Sequence, residues 1–254
     1  MSFKQYVALG DSMSIDLYPA LDAGEIDVTV ALEWDARAGA VAPLGAASLL
    51  HRNVDERYPE FAGTDLVSLH PDVGFVNLAE DGATIGDVFG SQLPLVAESE
   101  ESTLLTLSIG GNDLLSAFAN KPVASLLQRV VKDTAEAYEF LVDSVLRVRP
   151  NAALLLTTIY DPSDDSARVP GIFDGAGPLP LESLHDMNER IRALTRSHPR
   201  TRVADAYKHF LGHGVSASEA ERWYWRRSWI EPNAVGASEI RRLWLDALDH
   251  LTEN

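Results

Sequence analysis

What most constrains the fold of this chain is an alternation. Short apolar runs recur at residues 3–9, 73–79, 103–109, 152–159 and 201–206, with helical patterns standing between them. Runs that are apolar at consecutive positions suit strands buried on both faces. Helices between such strands are the crossovers that a parallel sheet requires. The clearest helix opens at Pro122 and stops before Pro150, with Val123, Leu126, Leu127, Val130, Val131, Tyr138, Leu141, Val142, Val145 and Leu146 on one face. Further helices are expected over 46–51, over 83–92 with Thr84 as cap, over 181–197, and over 237–251 in a helix-rich C-terminal portion. The last of these aligns Ile240, Leu243, Trp244, Ala247, Leu248 and Leu251. Residues 161–180 carry Pro, Gly and Asp at high density and read as a loop. Residues 13–72, with a Gly/Ala-rich run over 36–47, have no clean period. They read as an elaborated insertion within one domain spanning 1–254, placed where long connections often cover a site. The expected class is α/β, built on one parallel sheet covered on both faces.

Charge narrows the partners. The 38 acidic residues outnumber 21 basic ones, for a net charge of -17. A field of that sign repels nucleic-acid phosphates and anionic lipid headgroups and leaves neutral or cationic small molecules as the better ligands. The absence of cysteine excludes disulfides, thiolate zinc sites and iron–sulfur clusters. Met1 to Gln5 leads straight into the first strand without an apolar signal segment, and no apolar run reaches membrane-spanning length, so a cytoplasmic location is expected. Neither a phosphate-binding P-loop nor a dinucleotide-binding glycine fingerprint occurs. No cofactor and no metal are expected. His209 and His213 stand at i,i+4, but Gly212 and Gly214 argue against a helical metal face. Asp161, Asp164 and Asp165 read as a solvated acidic loop, and Trp223, Tyr224, Trp225 and Trp229 as core packing.

The first three strands end in turns that carry chemistry: Gly10-Asp11-Ser12, Asn77 through Gly82, and Gly110-Gly111-Asn112-Asp113. Each alone suits an ordinary turn with a helix cap. Parallel strands, however, put their carboxyl ends on one edge of the sheet, where ligand chemistry collects. Together the turns offer a hydroxyl at Ser12, a main-chain N–H at Gly82 and a carboxamide at Asn112, which are the parts of a nucleophile with an oxyanion hole.

These blocks, in this order, resemble the SGNH (GDSL-type) hydrolase superfamily of esterases and lipases. The resemblance implies a flavodoxin-like three-layer α/β/α sandwich with Ser12 as nucleophile. It also implies an oxyanion hole from the Ser12 N–H, the Gly82 N–H and the Asn112 side chain. Asp11 and Asp113 then shape turns, and the substrate is a small acyl ester, such as an acetyl group on a carbohydrate. The last block departs from the pattern. Where the family carries Asp-x-x-His-Pro, this chain has Ser228-Trp229-Ile230-Glu231-Pro232-Asn233, followed by Gly236. Ser228 thus stands at the acid's position and Glu231 at the histidine's. Three readings stay open. Glu231 serves as base, its pKa raised by burial beside Trp229. His213, beyond the fifth strand, takes that role instead of merely packing its loop. Or chemistry is lost and the pocket only binds an acylated or carbohydrate ligand.

Overall fold

The computed structural model describes residues 2–26, 41–119, 124–171 and 178–252. Five strands form a parallel sheet: β1 (Gln5–Gly10), β2 (Gly74–Asn77), β3 (Thr103–Ser108), β4 (Ala153–Thr157) and β5 (Thr201–Ala204), in the order β2-β1-β3-β4-β5. Gln5 pairs with Gly74 on one side and Thr103 on the other, so the chain starts inside the sheet, builds one edge, then crosses to build the other. This is the flavodoxin-like order that the resemblance implied. Its switch point lies between β1 and β3, where open α/β sheets place ligands.

Side chains alternate between the two faces of a strand, and each face has its own core. Tyr6, Ala8, Leu104 and Leu155 pack against Ile240, Trp244 and Leu248 of α9 (Ala234–Thr252). On the other face Val7, Leu9, Leu105 and Leu154 meet Tyr138, Leu141 and Val145 of α6 (Ala124–Val148), and Met187 and Ile191 of α7 (Leu181–Ala193). The shorter helices are α1 (Leu17–Asp22), α2 (Ala46–His51), α3 (Leu66–Leu69), α4 (Ile85–Asp87), α5 (Gly111–Ala119) and α8 (Ala206–Phe210). No helix among the described residues is long and apolar enough to cross a membrane.

Several elements differ from expectation. The helix predicted over 83–92 shrinks to α4, followed by a π-turn over Val88–Gln92 and a 3-10 turn over Leu93–Leu95. Gly86, Gly90 and Pro94 each weaken a continuous helix there. The Thr84 cap is present: its hydroxyl accepts from the Asp87 N–H, while the Asp87 carboxylate accepts from the Thr84 N–H. α5 was not predicted, because Gly110-Gly111 reads as a break; here it opens the helix instead. Leu126 is 49% exposed and does not join the core face of α6; its neighbour Leu127, about 100° around the helix, turns inward. The portion after β5 is less helical than expected. It holds an antiparallel hairpin, β6 (Tyr224–Trp225) with β7 (Ser228–Pro232), and its Trp and Tyr residues favour strand over helix. Residues 36–40 of the Gly/Ala-rich run, Pro122 and Val123, and residues 172–177 of the predicted loop lie outside the described residues.

Candidate active site

The site begins with Gly10. Its φ is +132°, and a Cβ there would stand 2.0 Å from the Ser108 carbonyl oxygen, so only glycine lets β1 turn beside β3. The buried Gln92 side chain then grips the Gly10 main chain. The Gly10 N–H donates to Oε1, and Nε2 donates to the Gly10 carbonyl, each at 2.8 Å. The Asp11 N–H donates to the Ser108 carbonyl at 3.0 Å, and Asp11 Oδ1 accepts from the Met13 N–H at 3.1 Å. These four bonds fix a turn that holds Ser12 only 7% exposed, at the carboxyl edge of the sheet.

Hydrogen bonds stitch the second turn to this one and the third turn to the second. Asn77 donates to the Ser14 carbonyl at 3.2 Å, and the Glu80 N–H donates to the Gly10 carbonyl at 3.0 Å. Asn112 Nδ2 donates to the Ala83 carbonyl at 2.9 Å, and Asp113 accepts from the Ile85 N–H at 3.2 Å. Gly82 sits between these anchors with φ +70°, a left-handed conformation that glycine adopts without strain. Ser12, the Gly82 turn and Asn112 therefore share one rim.

β7 brings Glu231 to the same place. The Tyr160 hydroxyl donates to the Ile230 carbonyl at 2.5 Å, and Asn233 donates to the Arg222 carbonyl at 2.7 Å, which locks the strand's path. The Ser12 hydroxyl lies close enough to the Glu231 carboxylate to favour its charged form, while Glu231 Oε2 is buried without a hydrogen-bond partner. Burial pushes the Glu231 pKa from 4.5 up to about 7; the nearby Ser12 hydroxyl opposes that rise, and the charge of Asp81 adds to it. Asp81 itself accepts from the Tyr18 hydroxyl at 3.1 Å to each oxygen. Asp11 is likewise pushed well above the usual carboxylate range, first by burial, and burial also raises Asp113.

A cleft of roughly 900 Å³, counted to its open mouth, runs from this rim. Asp11, Ser12, Asn112 and Glu231 line it; Gly82 and His213 are not among its lining residues. The His213 ring stacks on Trp223 at 3.6 Å between centroids, and its Nδ1 lies 2.9 Å from the Glu221 carbonyl oxygen. His209 pairs with Glu239 at 2.8 Å. Among the described residues no group of three or more His, Cys, Asp or Glu is placed to hold a metal ion.

The acidic loop is a correction. Asp161 is buried and accepts from the Ser163 and Asp165 N–H groups, both at 2.8 Å. Asp164 accepts from the N–H groups of Gly212, Gly214 and Ser216, tying this loop to the His213 segment. Both carboxylates do the work of turn clamps, which costs less than leaving buried N–H groups unpaired. Of the aromatic group, Tyr224 and Trp225 are buried, Trp223 packs on Phe210, and Trp229 lies under the Arg222 guanidinium at 4.1 Å. Sequence reasoning missed Gln92 and Asn188. Asn188 grips the Ile159 main chain through two 2.8 Å bonds, just as Gln92 grips Gly10. A lone amide inside a helical pattern offers no signal for this role.

Sheet order and stitched turns define a flavodoxin-like α/β/α protein with a cleft at its switch point. The chain belongs to the GDSL-like Lipase/Acylhydrolase family, whose profile matches residues 34–237. Glu231 falls within that match and Ser12 precedes it. No curated protein matches the chain in sequence. Solved structures do match its fold. An extracellular lipase from Streptomyces rimosus is 19% identical, with 96% of this chain and 99% of that one covered and a TM-score of 0.58. Phospholipase A1 from Streptomyces albidoflavus NA297 is 17% identical, with 98% and 99% covered and a TM-score of 0.55. An acetyl xylan esterase is 13% identical, with 96% and 99% covered and a TM-score of 0.57. At these identities the likeness is one of fold.

Proposed function

We propose that this protein is a carboxylic-ester hydrolase acting on small acyl esters, with Ser12 as nucleophile and Glu231 as its base. The nearness of the Ser12 hydroxyl to the buried Glu231 carboxylate, both lining one cleft, carries the reading. A carboxylate with its ordinary pKa of 4.5 pulls weakly on a serine proton; one raised to about 7 is matched to work near neutrality. Ionised Glu231 takes the proton as Ser12 Oγ attacks the ester carbonyl. The carbonyl oxygen becomes an oxyanion. One N–H of the Asn112 carboxamide is spent on Ala83, which leaves the other for the oxyanion, beside the N–H groups of Ser12 and Gly82. Glu231 returns the proton to the leaving alkoxide, the acyl group stays on Ser12, and water activated by Glu231 then releases it. His213, held against Trp223 and away from the cleft lining, has no part in this cycle. An acetylated carbohydrate is one member of the substrate class, as the acetyl xylan esterase of similar fold suggests.

A second reading is favoured by one observation: no histidine is among the described residues lining the cleft. In that reading the pocket binds an acylated ligand without turning it over. A serine-reactive fluorophosphonate and 4-nitrophenyl acetate separate the two. Labelling and hydrolysis that vanish in Ser12→Ala, fall in Glu231→Gln and persist in His213→Ala support the hydrolase. No labelling and no Ser12-dependent hydrolysis leave only the binding protein.

A further inference from the structure

The cleft carries more information than its reactive end. Three carboxyls line it, Asp11, Asp161 and Glu231, and no Lys, Arg or His does so among the described residues. Asp11 accepts a hydrogen bond from the Met13 N–H and Asp161 from the Ser163 and Asp165 N–H groups, while Glu231 lies beside the Ser12 hydroxyl. An anionic group entering here meets no cation among the described residues and loses its water. Much of the remaining lining is hydrocarbon. Leu114, Leu115 and Phe118 project into the cleft from α5, Leu127 from α6, and Leu181 and Leu184 from α7. α5 is unusual in that none of its residues is buried, although its sequence is amphipathic. Its apolar side lines the cleft, with Leu114 also packed on the core, and an apolar ligand laid along it removes that side from water.

We infer that the ester taken by this cleft carries an uncharged hydrocarbon chain of several carbons along α5, and that esters with an anionic group on that chain are rejected. This rests on the hydrolase reading for its chemistry but not for its ligand class. Among the activities named for proteins of similar fold, it puts this chain nearer the lipase than the acetyl xylan esterase. The charge of the whole molecule, -17, acts in the same direction at longer range.

The test has two arms. In the first, kcat/KM is measured for 4-nitrophenyl acetate, butyrate, hexanoate and octanoate, and for the 4-nitrophenyl half-ester of suberic acid. That half-ester has the octanoyl length and ends in a carboxylate. Full burial of each added methylene is worth about fourfold, so at least a tenfold gain from acetate to octanoate is expected, with the half-ester at least tenfold below octanoate. Ethyl octanoate and octyl acetate, compared with ethyl acetate, assign the chain to the acyl or alcohol side; a gain on either side supports the inference. Acetate as the preferred ester with no gain on either side overturns it, as does a half-ester hydrolysed as well as octanoate.

The second arm needs no catalysis. Octanamide, octylammonium and octanoate, which share one chain and differ in charge, are titrated calorimetrically into Ser12→Ala. Octanoate is expected to bind at least tenfold more weakly than octanamide, and Leu115→Arg is expected to reverse the order of octanoate and octylammonium. Equal binding of octanoate and octanamide overturns the inference. If the wild-type protein hydrolyses no ester through Ser12, the hydrolase reading fails alone, and this arm still decides what the cleft accepts.

Discussion

Replacing Glu231 by glutamine should make this protein a worse enzyme and a more stable one, with both effects governed by pH. In the folded state burial holds the Glu231 pKa at about 7, against an ordinary value of 4.5. Between those two values the folded protein keeps a proton that the unfolded chain has already released. Stability from this group is therefore full below pH 4.5, declines as the pH rises, and is gone above about 7. At about 1.4 kcal/mol per pH unit, the ionised carboxylate costs the folded state about 3 kcal/mol at pH 8. Glutamine has the same shape, is able to accept a hydrogen bond from the nearby Ser12 hydroxyl, and carries no charge to desolvate. Relative to wild type, Glu231→Gln should gain up to about 3 kcal/mol at pH 8 and almost nothing at pH 4.5. For a chain of this size that corresponds to roughly 6–12 °C in Tm at pH 8.

Activity moves the other way. Loss of the proposed general base should lower kcat by about 10²–10⁴-fold. The wild-type kcat/KM should rise with pH through a midpoint near 7, because the base works only when ionised, and that rise should be missing from the residual rate of the variant. Thermal and urea unfolding of both proteins between pH 4.5 and 8, set beside a 4-nitrophenyl ester assay over the same range, checks both halves. A glutamine variant that is less stable than wild type at pH 8, or whose advantage is the same at pH 4.5 and 8, refutes the argument that a desolvated carboxylate sits at this position.

Other residues give independent checks. Asn112→Ala removes one oxyanion donor, and kcat should fall about 10²–10³-fold with little change in KM; a change confined to KM in steady-state assays refutes that role. Gln92→Leu leaves the buried Gly10 N–H without its side-chain partner, while the Gly10 carbonyl keeps the Glu80 N–H. Urea unfolding should show a loss of about 1–3 kcal/mol, and a loss under about 0.5 kcal/mol contradicts the clamp. Asp81→Asn takes away a negative charge that helps raise the Glu231 pKa, so the midpoint of the pH–rate profile should move to lower pH; an unmoved or higher midpoint excludes the coupling. His213→Ala should disturb the emission of Trp223, on which the ring stacks, while ester hydrolysis stays within about twofold.

How far the residues announced this outcome follows from the range over which each signal acts. The sheet was legible because burial on both faces writes itself into consecutive positions: Leu104, Leu105 and Leu107 of β3 are all buried, as are Leu154, Leu155 and Leu156 of β4. The Thr84 cap was legible because its partner Asp87 lies three residues away. α5 was hidden because its sequence is amphipathic over only nine residues, and the glycine pair at its start decided the reading wrongly. The β6–β7 hairpin was hidden because its strands are two and five residues long, too short to show a period. Distance in sequence hides the rest. Gln92 stands 82 residues from Gly10 and Asn188 stands 29 from Ile159, and nothing local distinguishes either amide from one that faces solvent. The same limit applies to Glu231. Its position after Ser228-Trp229-Ile230 marks it as aligned with the family's histidine, yet the property that makes it useful, a carboxylate deprived of water beside Ser12, is created only when β7 folds across the ends of strands that precede it by more than 120 residues. In this molecule the elements that build the scaffold act locally and can be read, whereas the side chains that tune the rim act across the fold and become visible only in three dimensions.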